Sequence, residues 1–319
     1  MPPPLRRGTF VAAGTAFAAF PARARAQAPA TIRIGASADA SVIAALYGQQ
    51  SGIFPKLGLT VEVTRANSGS AVSAAVLGGS LEMGKSSLFG IIEAHVRGVP
   101  LILEAGASLF ASNPPTAALL VAKDSPIHTG RDLNGKTIAV AALNDLFAIA
   151  SLCWIDQNGG DSRTLKFLEL PPAATADAIA SGRVDAATLA VPEMTDAVAA
   201  GKCRVLGDSC GAVARRFLAT AYITSTDYAA KNPDVLARFR KGIAQATAYA
   251  NAHWTEMLPA ISKYTGSEMN VLQATPRDQL TTSLAGPLIQ PLIDAAAKYK
   301  AIAAAFPARD LIDANAVSG

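Results

Sequence analysis

Short strand-like segments alternate with helix-like segments from residue 31 onward, and this alternation constrains the fold more than any other feature of the chain. Apolar and polar residues alternate over residues 31–37 and again over 59–66. A helix-like run follows each of them, at 40–50 and at 71–77. The pattern predicts an α/β protein with a largely parallel sheet, because a helix can carry the chain back between two parallel strands.

Two segments of the chain, 71–87 and 174–192, share one order of features. Each has a helix-like run that ends at a glycine, then an apolar residue, an acid, a short strand and a loop. The repeat predicts two lobes of similar construction. The remainder of the chain is predicted to be mainly helical, with Asn232 as a helix cap and Pro233 as the first helical residue.

The segment GSLEMGKS (79–86) matches the nucleotide-binding pattern G-x-x-x-x-G-K-[ST]. A P-loop lies between a strand and a helix, so that its backbone N–H groups surround phosphates. Here Gly79 follows a helix-like run and is interpreted as its terminator, and residues 81–84 are interpreted as a strand. The sequence therefore predicts no nucleotide site at this segment.

Residues 1–26 have the three regions of a secretory signal peptide. Arg6 and Arg7 precede an apolar stretch, and Ala24-Arg25-Ala26 is a small-x-small cleavage pattern. The paired arginines allow the twin-arginine route, with the general secretory route as the alternative. The first cysteine is Cys153, so a lipidated cysteine at the cleavage site is excluded. The expected location is the periplasm.

Removal of this segment changes the charge of the chain. Residues 1–26 contain four arginines and no acid, so the 28 basic residues fall to 24, which equals the 24 acidic ones. A nucleic-acid partner requires a basic face, and a neutral mature chain does not predict one. Cys203 and Cys210 are close enough in sequence for a disulfide in an oxidising compartment; two buried thiols are the alternative.

The order of several motifs resembles the periplasmic solute-binding proteins of ABC importers. The resemblance covers nearly all of residues 31–313, and the branch that it resembles contains sulfonate, taurine and nitrate binders and the thiamine-pyrimidine-precursor group. The motifs that carry it are IRIG (32–35), YGQQSGIFPKLGLTVEV (47–63), LGGSLEMG (77–84), DLNGKTIAV (132–140) and IASGRVDAATLAVPE (179–193).

This resemblance implies a two-lobed periplasmic-binding-protein fold of type II, with two crossover strands and a ligand cleft between the lobes. Lobe 1 would comprise residues 31–118 and 222–315, and lobe 2 residues 119–221. The crossover strands would be 117–123 and 220–225.

Ligands of open α/β sheets bind beyond the carboxyl ends of the strands, so the loops after the predicted strands supply the candidate site. Lys85 is the one cation among these loops and is the predicted partner of a carboxylate or sulfonate. The acids could meet an ammonium group or a ring N–H. The candidate residues are Ser37, Asp39, Asn67, Ser68, Ser70, Lys85, Ser86, Ser87, Ser108, Asn144, Asp145 and Glu193.

Each candidate also has a purely structural interpretation. Lys85 could point to solvent, and Glu193 could simply favour a helix N-terminus. Plain helix caps are the alternative for Ser70, Ser86, Asp39 and Asp145. Cleft walls or core positions are the two interpretations of Leu88, Phe110, Leu146 and Phe147.

The predicted function is a receptor that captures a small organic anion, such as a sulfonate or carboxylate, and delivers it to an ABC permease. It is expected to be a monomer, to need no cofactor or metal, and not to be an enzyme, since no nucleophile–base constellation is recognisable. The alternatives are an enzyme on the same fold, of the pyrimidine or menaquinone-precursor type, and a binding module for a sensor or another transporter.

Overall fold

The computed structural model describes residues 29–316 apart from Asn144 and Asp278. The signal peptide predicted for residues 1–26 lies outside these residues. Eleven strands are present in the described part: β1 (Ala30–Ala36), β2 (Leu59–Arg65), β3 (Met83–Ser87), β4 (Leu101–Ala111), β5 (Ala117–Ala122), β6 (Thr137–Val140), β7 (Lys166–Glu169), β8 (Ala186–Ala190), β9 (Cys203–Gly207), β10 (Arg216–Ser225) and β11 (Gln279–Leu280).

Thirteen α-helices accompany the strands in the same part of the chain, with short 3-10 turns between some of them. None of the described helices is both long and apolar enough to cross a bilayer. The helices are α1 (Ile43–Gln50), α2 (Ile53–Lys56), α3 (Gly69–Leu77), α4 (Leu88–Val96), α5 (Leu146–Gln157), α6 (Pro172–Ala180), α7 (Glu193–Ala199), α8 (Ser209–Val213), α9 (Thr226–Lys231), α10 (Pro233–Ala252), α11 (Trp254–Thr265), α12 (Met269–Ala274) and α13 (Gly286–Lys298).

The strands form two sheets, which confirms the two-lobed α/β architecture. The first sheet has the order β11-β4-β10-β3-β1-β2, and the second has the order β7-β6-β8-β5-β9. The prediction of a largely parallel sheet is wrong. Although β1 pairs in parallel with β2 and β3, β10 runs antiparallel to β3 and β4. In the second sheet β5 is likewise antiparallel to β8 and β9. Both β5 and β10 enter their sheet from the other one, so no crossover helix imposes a parallel direction on them.

The chain passes between the sheets twice, at residues 112–116 and 208–215. The strands predicted as crossovers correspond to β5 and to the second half of β10. Strand β5 follows the connection at 112–116 and pairs only within the second sheet, and β10 follows the connection at 208–215 and pairs only within the first sheet. The lobe bounds 31–118 with 222–315, and 119–221, remain a prediction.

Helices cover both faces of the first sheet and bury its core. Helix α10 shows why: Leu236, Phe239, Ile243, Ala246 and Ala250 are buried, and their spacing of three or four residues places them on one face. The helix begins at Pro233 as predicted. Asn232 occupies the N-cap position, but its side-chain oxygen makes no capping hydrogen bond, and its amide nitrogen donates to the carbonyl of Tyr228.

The segment that matches the P-loop pattern is a helix end followed by a strand, as the sequence predicts. Gly79 has a φ of 72°, and the N–H of Ser80 bonds back to the carbonyl of Ala75, which closes the helix. The strand bounds were wrong, since β3 begins at Met83 and includes Lys85, Ser86 and Ser87. Their polar side chains suggested a loop, whereas β3 is paired on both sides.

Two further expectations are settled by the described residues. Ser108, predicted to lie in a loop after a strand, lies within β4, because β4 continues to Ala111. Cys153, Cys203 and Cys210 are all free and buried, so Cys203 and Cys210 form no disulfide and the alternative of buried thiols is confirmed.

Candidate ligand-binding site

Two cavities lie in the cleft between the sheets and meet at Ala190. The larger one, called here the apolar cavity, has a volume of about 370 Å³. Its walls include Phe89, Val140, Leu146, Phe147, Leu170 and Leu189, and its polar lining is Ser87, Asp145, Thr175, Thr188 and Glu193. Because β6, β8 and four helix starts contribute to it, the cavity lies at the carboxyl ends of strands, where α/β sheets bind ligands.

The smaller cavity, called here the Trp254 cavity, has a volume of about 280 Å³. Asp39 and Trp254 line it from the first sheet and its helices, and Val191 and Pro192 line it from the second sheet. Sequence reasoning missed Trp254, because this residue begins α11, far along the chain from any loop that follows a strand.

Of the predicted site residues, four line a cavity: Ser87, Asp145 and Glu193 the apolar cavity, and Asp39 the Trp254 cavity. Asn144 lies outside the described residues. The remaining seven line neither cavity. Three of them are exposed at the start of α3, namely Asn67, Ser68 and Ser70. The other four are Ser37, directly after β1, Lys85 and Ser86 in β3, and Ser108 in β4.

The structure also decides between caps and ligand contacts for several serines. Ser68, not Ser70, caps α3 by accepting the N–H of Ala71 at 3.2 Å. Ser87, not Ser86, caps α4 by accepting the N–H of Gly90 at 3.2 Å. In both cases the helix begins one or two residues away from the expected position, so the neighbouring serine takes the capping role.

Lys85 is fully buried and does not point to solvent. Its ammonium nitrogen donates to Asp39 Oδ1 and to Ser41 Oγ, both at 2.5 Å. A buried ammonium requires a charged partner, and Asp39 supplies it across 46 positions of sequence. The ion pair occupies the ammonium group, so this geometry does not support the predicted role of Lys85 as the partner of an anionic ligand.

The ion pair is part of a hydrogen-bonded network that fixes the Asp39 side chain. Ser37 Oγ donates to Asp39 Oδ2 at 3.1 Å, and Ser41 contacts Thr220 Oγ1 at 3.2 Å. Thr220 in turn contacts Ser108 Oγ at 2.7 Å. Burial acts to raise the pKa of Asp39, but the Lys85 charge and these hydrogen bonds outweigh it and hold the pKa below its ordinary value. Asp39 is therefore a preorganised carboxylate at the edge of the Trp254 cavity.

Asp145 caps α5 and also lines the apolar cavity. Its Oδ1 accepts the N–H of Ala148 at 2.6 Å, and its Oδ2 accepts the N–H of Ala142 at 3.2 Å. Burial raises the pKa of Asp145 above its ordinary value in spite of these hydrogen bonds. The cap predicted for this residue is confirmed, and its carboxylate faces the cavity at the same time.

The predicted cleft walls divide into two groups. Leu146 and Phe147 line the apolar cavity. Leu88 and Phe110 belong to the hydrophobic core, and Phe110 stacks on Phe217 with 5.1 Å between ring centroids. The sequence could not separate them, because apolar residues near strand ends serve either role.

A sequence profile of the family described as "NMT1/THI5 like" matches residues 39–257. The chain belongs to this family. The resemblance to the branch that includes the thiamine-pyrimidine-precursor group is thereby confirmed. No curated protein sequence matches the chain.

Solved structures of periplasmic binding proteins share the fold. The aliphatic sulphonate binding protein SsuA from Escherichia coli aligns with a TM-score of 0.72 at 21% identity, over 90% of this chain and 92% of that one. The alkanesulfonate-binding protein SsuA from Xanthomonas axonopodis pv. citri, bound to MOPS, gives 0.65 at 21% identity over 90% and 96%. The nitrate-binding protein NrtA from Synechocystis PCC 6803 gives 0.70 at 13% identity over 91% and 88%. The two-lobed periplasmic-binding-protein fold is therefore established for this family member.

Proposed function

We propose that the protein is an extracytoplasmic solute-binding receptor that captures a small organic solute between its two lobes and delivers it to an ABC importer. The observation that carries the proposal is the apolar cavity, whose volume of about 370 Å³ suits a small ligand. Ser87 and Phe89 line it from β3 and α4 on the side of the first sheet, and Leu189 and Glu193 line it from β8 and α7 on the side of the second. A site shared by two lobes changes shape when they close, and closure is a signal that a transporter can read.

Export belongs to the same proposal. Residues 1–26 would be removed as the signal peptide, and the mature chain would act in the periplasm as a monomer. Lobe 1 would comprise residues 31–118 and 222–315, and lobe 2 residues 119–221. The names of the aligned proteins support this location, since SsuA and NrtA are described as periplasmic.

An enzyme on the same fold has less support from the site. The two cavities are lined by apolar, hydroxyl, carboxylate and indole side chains. The cysteine thiols are buried in the described part of the fold, and burial raises the pKa of Cys153 to about 11. A thiol with that pKa is protonated at neutral pH and is a poor nucleophile.

The proposal is tested by the solute that the protein carries. The protein purified from the periplasm is denatured, the released small molecules are identified by mass spectrometry, and they are titrated back to the refolded chain. A true ligand is expected to raise the melting temperature, to change the fluorescence of Trp254 and to reduce the radius of gyration as the lobes close.

The variant Trp254→Phe is the matched control for the fluorescence signal, because Trp154 lies in the core of the second lobe and remains. Binding without any change in the radius of gyration would contradict the receptor mechanism. The absence of binding by any class of solute would contradict the proposed function itself.

A further inference from the structure

The charge of the cleft lining identifies the class of ligand, and this inference rests on the proposed receptor function. The charged side chains among the described residues that line the two cavities are Asp39, Asp145 and Glu193. No lysine, arginine or histidine is among them. The lining thus combines apolar walls with charges of one sign.

The three carboxylates are not equivalent, because only Asp39 has a cationic partner. Its charge is balanced by Lys85 from behind. Neither Asp145 nor Glu193 forms an ion pair with any described residue. The hydrogen bonds of Asp145 come from backbone N–H groups, which leave its full negative charge at the cavity. The apolar cavity therefore presents two carboxylates that no described cationic side chain balances.

Helix starts contribute a positive potential that must be weighed against these charges. Asp145 caps α5, and Glu193 is the first residue of α7. Each helix end corresponds to about half a positive unit charge, whereas each carboxylate carries a whole negative one. The starts of α4 and α6 also reach the cavity, so the four half charges about equal the two carboxylates in sum. N–H groups at the starts of α4 and α5 are already bonded to Ser87 and Asp145, whereas each carboxylate is a localised whole charge. The carboxylates are therefore the charged groups that a ligand in this cavity meets.

An apolar, partly enclosed space strengthens this preference. Electrostatic interactions grow as the effective dielectric constant falls, so an anion placed here would be repelled more strongly than at the protein surface. A protonated nitrogen would gain charge-assisted hydrogen bonds to the carboxylates. Phe89 and Phe147 line the same cavity, and aromatic rings can attract a cation as well as pack against hydrocarbon.

We propose that the ligand is an organic cation, a protonated amine with an apolar or aromatic body, whose nitrogen meets Asp145 and Glu193 while its body fills the apolar cavity. The sulfonate and carboxylate ligands expected from the sequence are disfavoured by the same two charges. The Asp39–Lys85 pair is a neutral part of the adjoining Trp254 cavity.

The test compares molecules that differ only in charge. The ligand-free protein is titrated with 2-phenylethylamine, 2-phenylethanol, 3-phenylpropionate and 2-phenylethanesulfonate, and with aliphatic amines, carboxylates and sulfonates of matched length. Calorimetry and the shift in melting temperature measure binding. Amines are expected to bind at least about tenfold more tightly than their neutral and anionic counterparts, as a charge-assisted hydrogen bond implies.

Two variants assign the charge to its residues. Glu193→Gln and Asp145→Asn keep the size of each side chain, and asparagine still caps a helix; each is expected to weaken amine binding by about tenfold or more. The control is Asp196→Asn, because Asp196 is exposed on the same helix α7 and does not line the cavity. It is expected to leave amine binding unchanged.

The outcomes separate this inference from the receptor function. An anion or a neutral molecule that binds as tightly as its amine would overturn the cation assignment and leave the receptor function intact. Amine binding that survives both Glu193→Gln and Asp145→Asn would also overturn it. If no compound of any charge binds, the receptor function and the cation assignment both fail.

Discussion

Glu104 is a buried carboxyl group whose ionisation should make the stability of the protein depend on pH. Its side chain is fully buried, and Arg240 Nη1 donates to its Oε2 at 2.5 Å. The same guanidinium lies 3.6 Å from Asp313 Oδ2. Neither Glu104 Oε1 nor Asp313 Oδ2 has a hydrogen-bond partner among the described residues. One cation therefore faces two buried carboxyl groups.

Burial, and then the charge of Asp313, raise the pKa of Glu104 from 4.5 to about 7, although Arg240 acts in the opposite direction. Between pH 4.5 and 7 the folded protein holds a proton that the unfolded chain has released. The free energy of unfolding must fall as pH rises through this window, and the loss is complete above pH 7. The size of the effect is about 3–4 kcal/mol over the whole window, because each pH unit between the two pKa values contributes about 1.4 kcal/mol, and about 2–3 kcal/mol of it is lost above pH 5.

The substitution Glu104→Gln imitates the protonated side chain at every pH, because its amide can accept from Arg240 and donate to Asp313. We expect the variant and the wild type to have similar stability near pH 5. By pH 8 the variant should be more stable by about 2–3 kcal/mol, the magnitude derived from the pKa difference. Urea denaturation at several pH values measures this difference, and other titrating groups cancel in the comparison.

Glu268→Gln is the control for the loss of one carboxyl group, because Glu268 is exposed at the start of α12; its profile should parallel that of the wild type. Parallel profiles for Glu104→Gln and the wild type would refute the reasoning. That result would mean that Glu104 is already ionised below neutral pH, with Arg240 sufficient to balance both acids.

Two further substitutions test the packing behind the cleft. Lys85→Met should lower the free energy of unfolding by roughly 3 kcal/mol, the low end for breaking a buried ion pair, since Asp39 retains 41% side-chain exposure. In denaturation measurements the double variant Lys85→Met with Asp39→Asn should recover part of this loss. If the effects of the two substitutions are fully additive, that result would argue against the pair. Gly207→Ala should cost about 1–3 kcal/mol, because a Cβ there would lie 2.3 Å from Trp154 Nε1. Gly286→Ala, which meets nothing within 4 Å, is its control, and equal melting temperatures for the two alanine variants would contradict this packing argument.

Much of the local structure could be predicted from the sequence because it depends on neighbouring residues. Strands β1 and β2 follow from the alternation of apolar and polar side chains. The helix end at Gly79 follows from the positive φ that glycine allows, and the start of α10 at Pro233 follows from the missing N–H of proline. The caps at Asp39 and Asp145 also follow from local hydrogen bonds. The repeated order of helix, glycine and strand indicated two lobes, because each copy of the repeat forms a helix followed by a strand in its own sheet.

The tertiary structure alone decided the position and partner of Lys85 and which charged side chains line the cleft. A polar strand such as β3 can be buried only if a distant residue neutralises its lysine, and no local pattern names Asp39 as that partner. Trp254 enters its cavity from a helix far along the chain, and β10 pairs antiparallel because it returns from the other sheet. These features depend on which segments meet in space, whereas the sequence by itself determined the elements, their order and the family.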